Sequence, residues 1–167
     1  MITCEDALYL KKHTYRVEKK DQTWVYFTFD LFKPNFHYEN GQWSVNNGPE
    51  TLVGSSIKDV FKSLHLTMSD RLSKVAMLGY LPSNVQYEDD SFEIKFTIDI
   101  NGIQFVGSYY WFSDNWVIIR RSDIRLCQSG SDIESILSTL ASETSTQKKT
   151  KIEPFTKEEL HDLFGAK

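Results

Sequence analysis

Apolar and polar positions alternate without a break from Ser91 to Ile100. Phe92, Ile94, Phe96, Ile98 and Ile100 share one face, and Ser91, Glu93, Lys95, Thr97 and Asp99 the other. Successive strand side chains point to opposite faces, so the pattern predicts a strand with one buried side. Asn101-Gly102 follows, and both residues tolerate the positive φ of a type I′ hairpin turn. A returning strand is predicted over Ile103 to Phe112, a break at Ser113-Asp114-Asn115, and a third strand from Trp116 to Arg121. Upstream, Tyr15 and Val17 open a strand that turns near Asp21-Gln22. Thr23 to Phe32 reads as its partner, with the fully apolar set Val25, Phe27, Phe29 and Leu31 as core face, and Pro34 ends it. A second Asn-Gly turn, Asn40-Gly41, joins Phe36–Tyr38 to Trp43–Val45.

Helical spacing appears in four places. Thr3 and Asp6 resemble a capping box that opens a short helix through about Lys12, burying Ala7, Leu8 and Tyr9. Ser56 and Asp59 open another, with Ile57, Val60, Phe61 and Leu64 on one stripe. Thr67 and Asp70 repeat the device ahead of Met68, Leu72, Val75 and Met77 or Leu78, and Gly79 is the expected stop. After Ser129-Gly130-Ser131, the residues Ile133, Ile136, Leu137 and Leu140 recur at helical intervals. Strand-rich segments flanking a helical pair predict an α+β fold, a mainly antiparallel sheet with the pair on one face and further helices C-terminal. The division expected is a globular domain over 1–141, a Ser/Thr/Lys-rich linker over 142–151 and a docking helix over 152–167. In that last segment Thr156 and Glu159 form a capping box. Leu160, Leu163 and Phe164 make one apolar stripe, which needs a surface to pack on because so short a helix is marginal alone.

The chain has 167 residues, 14% of them aromatic, and a formal net charge of −4. Its length suffices for a core without metal or disulfide staples. The charge argues against coating duplex DNA by bulk electrostatics. Two cysteines, Cys4 and Cys127, are too few for a secreted disulfide framework, and the N-terminus lacks the marks of a signal peptide. No apolar run approaches the ~20 residues of a membrane span. A cytoplasmic protein with no membrane partner is expected.

No residue set forces a chemistry. Glu93 and Lys95 have the form of a nuclease strand, in which such a pair joins an upstream Asp to hold a metal and a water. Asp89 and Asp90 lie too close for the usual arrangement, and alternating charge is what any wet strand face carries. His13, His37, His65 and His161 match no metal-ligand spacing. No phosphate loop, nucleophile elbow or activated thiol is present, so no catalysis, metal or cofactor is expected. Arg120, Arg121 and Arg125, with Lys148 and Lys149, are the basic residues that would grip nucleic acid, a secondary expectation.

The aromatic surplus points elsewhere. Aromatic side chains crowd both faces of the Ile103–Phe112 strand, and Trp24, Tyr26 and Phe32 crowd the wet face of the earlier one. A surface left uncovered would bind another protein, because Tyr, Trp and Arg dominate interface hot spots. Trp24, Tyr109 and Trp111 are the expected anchors, together with Leu160, Leu163 and Phe164. The function that follows is a non-enzymatic interaction protein that inhibits or redirects a larger macromolecular machine. An inhibitor or immunity protein against a toxin or nuclease, a nucleic-acid-binding accessory protein, and a metal-dependent nuclease are the alternatives. In size and in its Lys-, Asp- and Phe/Tyr-rich texture the chain resembles the small early proteins of T-even-like phages that terminate host transcription. That resemblance implies RNA polymerase and template DNA as partners, in the host cytoplasm.

Overall fold

The computed structural model describes residues 1–151 as two antiparallel five-stranded sheets and three α-helices, an α+β fold. Helix α1 (Cys4–Lys12) leads into β1 (Arg16–Lys20), β2 (Thr23–Phe27), β3 (Phe36–Glu39), β4 (Gln42–Val45) and β5 (Leu52–Gly54). Helix α2 (Ile57–Met77) then precedes β6 (Ser83–Gln86), β7 (Glu93–Ile100), β8 (Ile103–Tyr110), β9 (Asn115–Arg120) and β10 (Asp123–Gly130), and α3 (Ile133–Lys151) follows. Each sheet is a simple meander in which every strand pairs with its sequence neighbour. The chain thus runs through the same order twice: five strands, then a helix.

Both Asn-Gly turns form as the sequence requires, with φ of 52° and 78° at Asn40-Gly41 and 54° and 82° at Asn101-Gly102. Registry follows: Ile100 faces Ile103 and Glu93 faces Tyr110 across β7–β8. The apolar face of β7 is buried throughout, and Phe105 and Tyr109 of β8 and Trp116 and Ile118 of β9 share its core. Gly107 is required within β8, since a Cβ there would lie 2.3–2.8 Å from the Phe96 ring.

The expected helical pair is one helix. Ile57, Val60, Phe61, Leu64, Met68, Leu72 and Val75 are buried along a single stripe that continues past Thr67. Thr67 does not cap a second helix; its hydroxyl donates to the Ser63 carbonyl 3.1 Å away, one turn back. Met77 instead faces outward, 85% exposed. The stop at Gly79 forms with φ of +97°, and the N–H groups of Gly79 and Tyr80 return to the carbonyls of Ala76 and Val75. Helix α2 joins the two sheets: the Phe61 ring meets Phe36 of β3 and Phe92 ahead of β7.

Three further expectations are corrected. β2 ends at Phe27, so Phe29 and Leu31 are not core; Tyr26, on the opposite face, is the buried residue. In α1 the buried side chains are Asp6 and Leu10, whereas Ala7 and Leu8 are exposed. The 142–151 stretch continues helix α3 to Lys151 instead of forming a linker. Its Thr144 is fully buried, and Asn101 of the β7–β8 turn donates to the Thr144 hydroxyl (3.0 Å) and the Ala141 carbonyl (3.0 Å). That contact gives the polar segment a tertiary reason to stay helical. The docking helix expected over 152–167 lies outside the described residues.

Asp6 ties the N-terminal helix to both neighbours. Thr3 caps α1 by accepting from the Asp6 N–H (3.2 Å), but the Asp6 carboxylate turns inward. Its oxygens accept from Trp43 Nε1 of β4 and from the Ile57 N–H that opens α2, each at 3.0 Å. A carboxylate at a helix N-terminus satisfies a donor with no intrahelical partner and complements the helix dipole.

Candidate functional site

A hollow of about 910 Å³ lies between the segment after β2 and the segment entering β7. Leu31, Phe32 and Lys33 form one side, and Glu88, Asp90, Ser91 and Phe92 another. Glu93, Tyr110 and Asn115 close it from the second sheet, with Phe112 in the turn after β8 and His13 at the end of α1.

The 28–33 segment is a shaped loop. The Asp30 N–H donates to the Thr28 hydroxyl (3.1 Å), and the Asp30 carboxylate accepts from the Phe32 N–H (2.9 Å). The Lys33 N–H closes on the Asp30 carbonyl (3.2 Å), and the Tyr15 hydroxyl donates to the Pro34 carbonyl (3.1 Å). So short a polar side chain bonding its own backbone two residues on is a turn-former. The result holds three large apolar side chains in water: Phe29 is 70% exposed, Leu31 84% and Phe32 76%. The Arg16 guanidinium sits 4.7 Å over the Phe29 ring.

At the base of this loop Lys33 Nζ lies 2.7 Å from His13 Nδ1, and His13 Nε2 lies 3.1 Å from Asp90 Oδ2. Burial first, then the Lys33 ammonium, lower His13 below the usual imidazole range. The neutral ring suits both neighbours, with Nδ1 accepting from Lys33 and Nε2–H facing Asp90. Across the hollow, burial and then the Glu93 carboxylate raise the Tyr110 hydroxyl. Asp90 faces the neutral His13 ring, and Glu88 and Glu93 carry no ion-pair partner among the described residues.

Of the expected protein-binding anchors, Tyr109 and Trp111 are fully buried, which removes them from any surface role. Tyr109 donates to Asp114 (2.7 Å), and Trp111 packs where a Cβ on Gly48 would otherwise stand. The surplus on that strand face is core, shared between the sheet and the loop after β4. Trp24 is 40% exposed beneath Lys19 (5.3 Å) and does not line the hollow. Leu160, Leu163 and Phe164 lie outside the described residues.

Of the basic candidates, Arg120, Arg121 and Arg125 meet at the β9–β10 turn around Asp123. Arg120 ends β9 and its Nε donates to the Ser122 hydroxyl (3.1 Å), Arg121 is exposed in the following turn, and Arg125 is held by Asp123 at 2.9 and 3.1 Å. Lys148 and Lys149 fall in the last turns of α3. Glu93 and Lys95 share the outer face of β7 and border a smaller hollow with Gln86 and Tyr87. Among the described residues, no three His, Cys, Asp or Glu side chains are grouped to hold a metal. Both cysteines are free and exposed, and no described helix is long and apolar enough to cross a membrane.

Leu31, Phe32 and Lys33 escaped the sequence pattern because alternation carried the β2 reading past Phe27. Asp30, with Pro34 and Asn35 close behind it, was the available sign of a turn. The joining of His13, Lys33 and Asp90 leaves no local trace, since they meet only through the fold. No protein-family model, curated protein or solved structure matches the chain.

Proposed function

We propose that this protein acts by binding another protein, through the loop 28–33 and the hollow beside it, and that it inhibits or redirects that partner by occupying its surface. The observation that carries the reading is the group Phe29, Leu31 and Phe32, each at least 70% exposed on one pinned loop. Covering such a side chain contributes about 1.5–3 kcal/mol, so three together favour a partner strongly. The bonds made by Asp30, Tyr15 and Lys33 fix the loop in advance, which reduces the ordering cost of association. Exposed apolar side chains with polar groups beside them match the apolar core and polar rim of a protein interface.

The test is affinity capture from a candidate host lysate, read by mass spectrometry, with the wild-type chain and the double variant Leu31→Asp/Phe32→Asp. Both residues are exposed, so the variant is expected to melt as wild type does while losing its partner. A captured set unchanged by the double substitution sinks the proposal. Single truncation of a true anchor is expected to cost about 2 kcal/mol or more of binding.

A further inference from the structure

Resting on that binding reading, we infer that the hollow receives a lysine or arginine side chain of a partner protein, flanked by an apolar residue that packs on Leu31 and Phe32. Three carboxylates, Glu88, Asp90 and Glu93, line this hollow against one ammonium, Lys33. Lys33 bonds His13 Nδ1 at 2.7 Å, and His13 Nε2 lies 3.1 Å from Asp90. Glu88 and Glu93 make no ion pair among the described residues; Lys95, on the same face of β7, borders the smaller hollow beside them. An anionic occupant would be repelled there, and a wholly apolar one would strip water from two carboxylates without replacing it.

The walls suit the stem of such a side chain as well as its head. Glu93 stands opposite Tyr110 in the β7–β8 register, and Phe112 lines the same hollow. An alkyl stem lies along aromatic rings while its charged end reaches a carboxylate, and a ring face adds its own attraction for a cation. A volume of about 910 Å³ exceeds what one side chain fills, leaving room for the adjoining residues of a segment. Leu31 and Phe32 supply the apolar edge those residues need.

The experiment selects from a random dodecapeptide display library on the full-length chain. Enriched peptides are compared by fluorescence anisotropy with analogues in which each lysine or arginine becomes glutamine or citrulline. Enriched sequences are expected to carry Lys or Arg beside Leu, Phe or a similar residue. The neutral analogue and the Glu93→Gln variant are each expected to bind roughly tenfold more weakly, with Glu93→Gln melting as wild type does. No enrichment, enrichment without a cation, or equal binding of the neutral analogue overturns the inference. Agmatine binding as tightly as the peptides also overturns it, in favour of a small-amine site. If the peptides still depend on Leu31 and Phe32 but not on charge, the inference falls while the binding reading stands; independence from Leu31 and Phe32 defeats both.

Discussion

A buried carboxylate that accepts two hydrogen bonds strands two donors when it is removed. Asp6→Ala would leave Trp43 Nε1 and the Ile57 N–H without their acceptor, both deep in the core. At about 1–3 kcal/mol for each stranded group, a loss on the order of 3 kcal/mol is expected in urea unfolding. A loss below about 1 kcal/mol would mean that water replaces the carboxylate. Gly107→Ala is expected to destabilise by about 1–3 kcal/mol, because its Cβ would overlap the Phe96 ring. Adding Phe96→Leu should restore part of that loss; purely additive effects would place the strain elsewhere. Neither residue could be assigned these roles from sequence. Thr3 and Asp6 did mark the start of α1, but a spacing of three cannot reveal partners 37 and 51 residues away.

Local signals served best where the structure is local. Both Asn-Gly hairpins, the β7 alternation and the Gly79 stop are decided within a few residues, and all were legible. Where two readings shared one pattern, packing decided. Thr67 and Asp70 look like a second helix start, yet the buried stripe from Leu64 to Met68 runs straight through. Thr67→Ala is therefore expected to change stability by less than about 0.5 kcal/mol, whereas a true N-cap would lose about 1 kcal/mol. Circular dichroism with thermal melting decides between them. The 142–151 stretch failed as a linker for the converse reason. Composition describes what a segment can bury alone, and Thr144 is buried by a turn 43 residues away. The 28–33 loop reads as strand because Phe29 and Leu31 fit a strand's apolar face. Their exposure becomes visible only once Asp30 is known to fold the chain back.

For the whole molecule, two shielded imidazoles contribute to acid sensitivity. Burial is the first cause of a lowered pKa at His13 and at His65, which stacks 4.3 Å from Tyr87. The unfolded chain then binds more protons than the folded one, so stability rises with pH through this range. Their contribution is full above the ordinary imidazole value of about 6.5 and is lost as pH falls below it. The urea midpoint is expected to drop between about pH 7.5 and 5.5, and less steeply in His13→Gln/His65→Gln. An equal slope in that variant would assign the acid sensitivity to carboxylates. At His13 the added proton would also face the Lys33 ammonium, so the same acidification is expected to loosen the base of the 28–33 loop.

Because each strand waits only for the strand made just before it, the closure entropy of assembly is small and the contact order low. Ribosomes add about 5–20 residues per second, so β1–β5 can finish pairing seconds before β7 has been synthesised. What the early half lacks in that interval is a full cover for Phe61, one of whose ring neighbours, Phe92, has yet to emerge. A nascent chain whose α2 has left the ribosome but whose Phe92 has not should therefore already hold its first sheet while remaining sticky at the outer flank of α2.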